Sequence, residues 1–224
     1  MTGYDALSEA AETMRAVRDR CVWTQQIDHR ALVPYLVEES AELIDAVEAG
    51  DRADLREELG DLLWQVLFHA EIASRDAVDP FDIDDVARGL TEKMVRRHPH
   101  VFADAVATTP EEVLVHWNAA KAAEKSTRSS VLDGVSHHMP SLALAQKVLG
   151  KAAGVGVGLD LAEAVAAAEA IAAEEPDVLP ETEEDLGETL LGLVAVARAK
   201  GWDAERALRT AIRAIEAEVR AAES

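Results

Sequence analysis

The sequence has one cysteine, few basic residues and no long apolar run. Cys21 is the single cysteine among 224 residues, which excludes an intrachain disulfide and is typical of proteins in a reducing compartment. No uninterrupted apolar run reaches the length of a membrane span, and Met1 begins no basic and then apolar leader. These absences predict a cytoplasmic protein without a membrane partner.

Basic residues are scarce, since 22 Lys and Arg against 43 Asp and Glu give a formal net charge of -21. Phosphate polymers and anionic membranes repel such a surface, so we expect no nucleic-acid polymer as the main partner. A small anionic ligand can still bind through a local basic patch or a metal ion. With 49% hydrophobic residues, the chain has enough material for a core in one large domain or two small ones.

Helical periodicity dominates the chain. Apolar residues recur at spacings of three and four, which predicts an all-α fold. The apolar stripes are Leu36, Ser40, Leu43, Ile44 and Val47 on the second helix and Leu59, Leu62, Leu63, Val66, Leu67 and Ala70 on the third. The predicted helices cover residues 4–20, 33–47, 55–72, 79–97, 110–125 and 141–153.

Two pairs of acidic residues lie on either side of a break at Ala49-Gly50-Asp51. Glu39 and Glu42 are three residues apart, as are Glu58 and Asp61, and this spacing puts each pair on one helical face. A hairpin can bring the pairs together, and four carboxylates repel one another unless a cation holds them. A hard divalent ion with oxygen ligands meets that requirement. Amphipathic patterning alone also accounts for acids on a solvated face, and this alternative stays open.

Gly60 interrupts the third helix between Glu58 and Asp61. A glycine inside a helix costs roughly 1 kcal/mol relative to alanine, so we interpret it as a mark of close approach by another backbone or a ligand. His69, two turns beyond Asp61, is interpreted as a hydrogen-bonded core histidine rather than a metal ligand. The hairpin has no Glu-x-x-His spacing, which weakens the hypothesis of a di-iron carboxylate bundle.

A basic cluster ends the fourth predicted helix, at Lys93, Arg96 and Arg97. Cations at a helix C-terminus are ordinary partners of the helix dipole. The alternative is a set of phosphate contacts for the same ligand whose metal the carboxylates hold. Trp117 and Lys121 share one face of the next long helix. Trp23 lies in the loop before the acidic hairpin, where it either stacks on a ligand ring or covers the core.

The second half repeats part of the first. Glu58-Leu59-Gly60-Asp61-Leu62-Leu63 is echoed by Asp185-Leu186-Gly187-Glu188-Thr189-Leu190, which predicts a second copy of the helical unit. The stretch 161–173 before the echo is alanine-rich, and an ungapped alignment puts Ala214 and Glu218 opposite the basic cluster. Both features are thus lost together, as expected if they serve one ligand. The predicted division is a functional unit at 1–125, a connection at 126–160 and a degenerate, structural or dimerising unit at 161–224.

Four segments form a recognisable set when they are taken together. They are Tyr35-Leu36-Val37-Glu38-Glu39-x-x-Glu42, Glu57-Glu58-Leu59-Gly60-Asp61-Leu62-Leu63, Arg96-Arg97-His98-Pro99-His100-Val101-Phe102, and the segment from Trp117 to Lys121. This set resembles the MazG family of nucleoside triphosphate pyrophosphohydrolases. Two places depart from the family pattern: Cys21-Val22-Trp23-Thr24 stands for the usual Cys-Pro-Trp-Asp, and Ile27-Asp28 for an expected Gln-Thr.

The resemblance implies an all-α pyrophosphatase fold, a homodimer, and Mg²⁺ as the cofactor with Mn²⁺ as a substitute. The implied reaction converts an NTP or dNTP to a monophosphate and pyrophosphate, with sanitation of the nucleotide pool as a role. The metal ligands would be Glu39, Glu42, Glu58 and Asp61, the catalytic base Glu38 or Glu39, and the substrate contacts Lys93, Arg96, Arg97, Trp117, Lys121 and Trp23. The competing hypothesis is a non-catalytic helical module that senses nucleotides or acts as a scaffold.

Overall fold

The computed structural model describes residues 5–124, 128–158, 162, 164–166 and 180–223. Every regular element among these residues is a helix, so the prediction of an all-α fold is confirmed. The chain divides into two compact units, Met1–Glu124 and Lys125–Ser224. No helix in the described ranges is long and apolar enough to cross a membrane.

The helices of the first unit are α1 (Ala6–Arg20), α2 (Val33–Ala49), α3 (Arg52–Ala73), α4 (Ile83–Arg97), α5 (Pro99–Phe102) and α6 (Pro110–Glu124), with a 3₁₀ turn at Thr24–Gln26. Those of the second unit are α7 (Ser141–Ala153), α8 (Glu183–Ala199) and α9 (Ala204–Ala222). Helix α4 begins at Ile83 rather than at the predicted Asp79, because Asp82 caps it through a capping box with Asp85. The predicted alanine-rich stretch at 161–173 lies largely outside the described residues.

A two-residue turn joins α2 to α3. Gly50 ends α2 with φ +75°, a left-handed conformation that glycine adopts without steric cost. Asp51 then caps α3, since its side chain accepts hydrogen bonds from the backbone N–H groups of Ala53 at 2.7 Å and Asp54 at 3.2 Å. The short connection makes α2 and α3 antiparallel neighbours, and they pack against each other along their length.

The buried core of the first unit lies between α1, the loop before α2, and α3. Met14, Leu32, Leu67 and Phe68 are at most 5% exposed. Full burial of such a side chain contributes about 1.5–3 kcal/mol, so this cluster fixes α1 on α3. Partly buried residues complete the core: Ala10, Ala11, Ile27, Leu63, Trp64, Ile72 and Ile83.

The apolar stripes predicted for α2 and α3 are only partly buried. Leu36, Ile44 and Val47 on α2 are 38%, 40% and 58% exposed, and Leu59 and Val66 on α3 are 53% and 44% exposed. The interpretation of the α3 stripe as a core stripe is therefore wrong for Leu59 and Val66, and the exposed α2 residues do not belong to the buried core either. Helix α3 turns a neighbouring face toward α1, so one apolar side of the hairpin stays in contact with solvent.

An ion-pair cluster fastens α4 to α6. Glu124, the last residue of α6, accepts hydrogen bonds from Arg96 Nε at 2.8 Å and from Arg97 Nη2 at 2.5 Å. The Arg97 guanidinium also lies 5.0 Å from the centroid of the Trp117 ring. The hydrogen bonds from Arg97 and then Arg96 lower the pKa of Glu124 to about 2.

In the second unit α7 packs against α8 and α9, around the buried Val194 and Ala197. The side chain of Gln146 in α7 is hydrogen-bonded to the turn between α8 and α9. Its Nε2 donates to the Trp202 carbonyl at 2.8 Å, and its Oε1 accepts from Ala204 N–H at 3.0 Å. Helix α7, which the sequence assigns to the connection 126–160, therefore takes part in the packing of this unit.

Replacing Glu124 by Gln should loosen the attachment of α6, because the neutral amide loses both charge-assisted bonds. The pKa of Glu124 is depressed in the fold, so its stabilisation is present above its ordinary pKa of 4.5 and is lost as the pH falls toward 2. We expect E124Q to unfold a few degrees below the wild type at pH 7, with a smaller difference below pH 4.5, as measured by thermal circular dichroism.

Glu111→Gln, in the exposed first turn of the same helix, is the matched control and should unfold like the wild type. Equal unfolding temperatures of E124Q and the wild type at pH 7 would contradict the assigned role of the cluster.

Candidate metal centre

The α2–α3 hairpin brings together carboxylates from both helices. Glu39 of α2, and Glu58 and Asp61 of α3, each offer one oxygen, and these oxygens lie within 4.8 Å of one another. Within the described ranges no other group of three His, Cys or acidic residues converges in this way. The structure thus places three of the four predicted ligands together.

Glu42, the fourth predicted ligand, is outside that group of oxygens but acts on it electrostatically. Its charge raises the pKa of Glu39 and of Glu58. Glu38 likewise raises the pKa of Glu39 without offering an oxygen to the group. Glu42 and Glu38 therefore belong to the negative surroundings of the three converging carboxylates.

Burial and mutual repulsion oppose ionisation of the cluster. The pKa of Glu39 is raised first by burial and then by Asp61, Glu42 and Glu38. The pKa of Glu58 is raised first by burial and then by Glu42, Asp61 and Glu39. A carboxylate whose pKa is raised in the fold lowers stability at neutral pH unless an opposite charge compensates it.

One oxygen of the cluster has no partner among the described residues. Glu58 Oε2 is buried and accepts no hydrogen bond, and a buried acceptor without a donor costs free energy. Several carboxylate oxygens aimed at one point are the donor set that hard divalent cations prefer. The residues present therefore fit a divalent cation of this class.

Gly60 lies between Glu58 and Asp61 in the sequence. A Cβ atom at this position would meet nothing within 4 Å in the described chain. The expectation that another backbone segment of the chain approaches Gly60 closely is therefore wrong, because no described atom lies near the position that a side chain would take. The approach of a ligand there stays a prediction.

The predicted phosphate contacts fall into two sets. Arg96 and Arg97 are bound to Glu124, and the Arg97 side chain is only 12% exposed. Lys93 and Lys121 form no ion pair with any residue in the described part of the chain. The two lysines thus carry charge that the fold leaves available, whereas the two arginines share the single negative charge of Glu124.

One histidine packs on Trp117 beside this basic cluster, and two others stack next to it. His98 packs edge-on against Trp117 with centroids 5.2 Å apart, and its Nδ1 lies 2.7 Å from the Met94 carbonyl oxygen. His100 stacks on His116 with centroids 6.1 Å apart. The sequence pattern does not single out His116, because its partner lies sixteen residues away in a different helix.

His69 is hydrogen-bonded, as interpreted from the sequence. Its Nδ1 lies 2.8 Å from Nδ1 of His29, a residue in the loop before α2, and the two rings are parallel. Burial, followed by the neighbouring His29, lowers the pKa of His69. The pair links the loop to α3, and neither histidine belongs to the group of converging ligands.

The surroundings of Trp23 are compatible with both interpretations of this residue, as a cover of the core and as a contact for a ligand ring. Its ring packs edge-on against Tyr35 and Phe68, with centroids 6.0 Å and 6.5 Å apart, while half of the residue stays exposed. One side of the indole therefore covers the core. Contact of the exposed side with a ligand stays a prediction.

Gln65 is a polar residue beside the carboxylates that the sequence pattern does not single out. It is 5% exposed and lies one helical turn after Asp61. A hydrogen bond from its side chain lowers the pKa of Glu39, against the larger effects that raise it. One feature of the sequence could have identified Gln65: it is the one amide in the apolar run Leu62–Phe68.

Comparison with known proteins decides the family. The sequence profile of the MazG nucleotide pyrophosphohydrolase domain matches residues 27–102. A nucleoside triphosphate pyrophosphohydrolase of Escherichia coli K12 is 34% identical over 223 residues, covering 94% of this chain and 83% of that protein. This chain belongs to the MazG family.

Two further relatives extend over both units of this MazG chain. The nucleoside triphosphate pyrophosphohydrolase/pyrophosphatase MazG of Thermotoga maritima is 36% identical over 216 residues, covering 94% of this chain and 81% of that protein. An uncharacterized 26.1 kDa protein of the blaB 3′ region of Streptomyces cacaoi is 45% identical over 217 residues, covering 97% of this chain and 82% of its own. The matched MazG domain includes the carboxylate cluster and Lys93, and ends before Trp117.

In the second unit, the carboxylate that corresponds to Glu58 has a different role. Asp185 has the register of Glu58 in the repeated segment, but its Oδ2 accepts hydrogen bonds from Thr182 N–H at 3.0 Å and Thr182 Oγ1 at 2.7 Å. Asp185 thereby caps the start of α8. A carboxylate occupied in this way is a poor cation ligand, which supports the prediction that the second unit has lost the site.

Replacing Glu58 by Gln should stabilise the metal-free protein. The raised pKa means that ionised Glu58 lowers stability at neutral pH, and this penalty fades as the pH falls toward the ordinary value of 4.5. We expect E58Q to unfold at a higher temperature than the wild type at pH 7 in EDTA. A divalent cation at about 100 times its Kd should raise the free energy of unfolding of the wild type by about 2.7 kcal/mol. The increase should be smaller for E58Q.

Glu12→Gln is the control, because Glu12 is exposed on α1 and offers no oxygen to the cluster. Scanning calorimetry with and without cation measures both effects. An E58Q protein that is less stable than the wild type in EDTA would argue against repulsion in the cluster.

Proposed function

We propose that this chain hydrolyses nucleoside triphosphates to monophosphates and pyrophosphate, with Mg²⁺ held by Glu39, Glu58 and Asp61 and attracted by the neighbouring charge of Glu42. Membership of the family makes the chain a nucleotide pyrophosphohydrolase, and the E. coli and T. maritima relatives bear that name. The observation that carries the ion site is the convergence of three carboxylate oxygens beside a buried Glu58 oxygen that lacks a donor.

The carboxylates would fix the position of the reacting phosphates relative to α2 and α3. When bound, Mg²⁺ supplies positive charge that neutralises phosphate oxygens and orients a water for attack at the α-phosphorus. Glu39, Glu58 and Asp61 direct their oxygens to one point from two helices. Glu42 adds negative charge that strengthens attraction for the cation.

Glu38 would take the proton of the attacking water. A general base must keep a free carboxylate near the reaction, and Glu39 has an oxygen in the converging group. Glu38 is exposed and adjacent to Glu39 in α2, and its charge acts on Glu39. This arrangement favours Glu39 as a ligand and Glu38 as the base.

Lys93 and Lys121 would contact the phosphates that the cation leaves uncompensated. Both lack ion pairs with described residues, and an acidic chain needs local positive charge to retain a triphosphate. Arg97 and Arg96 would contribute after exchanging Glu124 for phosphate oxygens, which bind guanidinium in the same bidentate manner. Trp23 and Trp117 offer aromatic surface for the base.

The substrates are proposed to be free nucleotides in the cytoplasm. A net charge of -21 supports small nucleotides over nucleic-acid polymers, and the single cysteine supports a reducing compartment. Sanitation of the nucleotide pool is the physiological role that we propose for this reaction.

We further propose that the chain forms a homodimer through the exposed apolar side of the α2–α3 hairpin. Leu36, Ile44 and Val47 of α2 and Leu59 and Val66 of α3 are all between 38% and 58% exposed. Several exposed apolar residues on one hairpin are typical of an interface. Pairing of two hairpins would bury it and would place the carboxylates of both chains near the interface.

Purified protein with Mg²⁺ should release monophosphate and pyrophosphate in equal amounts from a panel of canonical and oxidised NTPs and dNTPs, followed by chromatography. Asp61→Asn should lower turnover at least about a hundredfold, because loss of a ligand removes several kcal/mol of charge stabilisation.

Glu188→Gln, at the register of Asp61 in the second unit, is the matched control and should turn over like the wild type. Release of orthophosphate instead of pyrophosphate would refute the proposed reaction. Tight binding without turnover would favour the nucleotide-sensing hypothesis.

Val47→Glu should dissociate the proposed dimer, because it places a charge on an apolar interface. Light scattering should give the mass of two 24.1 kDa chains for the wild type and of one for V47E. Val78→Glu is the control, since Val78 is 92% exposed in the loop before α4. A monomeric wild type would refute the dimer.

A further inference from the structure

Gln65 is a buried amide with incomplete hydrogen bonding. It is 5% exposed, and its Oε1 has no hydrogen-bond partner among the described residues. A buried amide group costs free energy unless its donors and acceptor are satisfied. An apolar residue of similar size would avoid that cost, so the amide is better explained by a role in the neighbouring site than by packing.

The position of Gln65 connects it to the carboxylates. It lies four residues after Asp61 and seven after Glu58, and these spacings put all three side chains on one face of α3. Across the hairpin, the Gln65 side chain acts on Glu39 of α2, whose pKa it lowers. Gln65 thus joins the ligand from α2 to the face that carries the ligands from α3.

The two ends of the amide differ in chemistry. A carboxylate only accepts hydrogen bonds, so the end of Gln65 that suits Glu39 is the Nε2 donor, and Oε1 is left as an acceptor without a partner among the described residues. The carboxylates nearby offer no donor when ionised. A divalent cation of the Mg²⁺ class usually retains several water ligands, and these are donors.

We propose that Gln65 is a positioning residue of the cation site: its Nε2 holds the Glu39 carboxylate, and its Oε1 accepts a hydrogen bond from water retained by the cation. This inference rests on the proposed function. Groups that orient metal ligands in this way typically change metal affinity by 10–100-fold when they are removed.

The test compares Mn²⁺ binding by the full chain of the wild type and of Gln65→Met, measured by titration calorimetry and by paramagnetic resonance of free Mn²⁺. Methionine keeps the length of the side chain but supplies no strong donor or acceptor. We expect Q65M to bind Mn²⁺ about 10–100-fold more weakly and to unfold in EDTA at or above the wild-type temperature. Gln26→Met, at an exposed position in the 3₁₀ turn, should bind like the wild type.

Gln65→Asn retains the amide on a shorter side chain and provides a second variant if Q65M folds poorly. Because the shorter side chain moves the amide away from Glu39, we expect Q65N to bind Mn²⁺ more weakly than the wild type as well. In turnover assays the Mg²⁺ concentration for half-maximal activity should rise more than kcat at saturating Mg²⁺ falls, a split that a purely structural role would not produce.

The outcomes separate this inference from the proposed function. Wild-type Mn²⁺ affinity in folded Q65M and Q65N would overturn the role of Gln65 and leave the cation site standing. Failure of the wild type to bind Mn²⁺ would overturn the proposed site, and the role of Gln65 with it.

Discussion

Repulsion between carboxylates on two adjacent helices is the constraint on which the first unit depends. The two-residue turn at Gly50 and Asp51 keeps α2 and α3 together, and Glu39 then lies within 4.8 Å of Glu58 and Asp61. Burial strengthens the repulsion because it lowers the local dielectric constant. The hydrophobic core must hold the helices in place against this force, and a bound cation would turn the repulsion into attraction.

Helix α3 meets this requirement by dividing its surface into three faces. Phe68 and its neighbours pack on α1, the acidic residues and Gln65 follow an adjacent face toward α2, and an apolar third face with Leu59 and Val66 stays exposed. Because the core does not include the site, the ligands can repel one another without disturbing it. The exposed apolar face makes no stabilising contact in an isolated chain. A partner that covered it would also stabilise the α2–α3 hairpin that carries the carboxylates.

Local features of the sequence predicted the helices and the Gly50 turn, because each depends on spacing within a few residues. The meeting of Glu39 with the α3 ligands could be predicted as well, because that turn is too short to let α2 and α3 separate. The sequence could not show which apolar stripe is buried within the chain. The same spacing of apolar residues is expected whether the stripe packs on another helix of the chain or on a second chain. Nor could it reveal that Glu124 pairs with Arg97, because those residues lie on separate helices. Gln65 escaped notice for a similar reason: its importance comes from a contact with α2, not from its own helix.

The two copies of the acidic motif show how context decides what a carboxylate does. Glu58 lies two turns inside α3, where the backbone N–H groups are already bonded, and its Oε2 is left without a donor. Asp185 lies in the first turn of α8, where its carboxylate accepts hydrogen bonds from the N–H and the hydroxyl of Thr182. The same residue type is therefore available to a cation in one unit and committed to helix capping in the other. Activity in the second unit would need an earlier start of α8, so that Asp185 lay inside the helix, in addition to restored acidic residues.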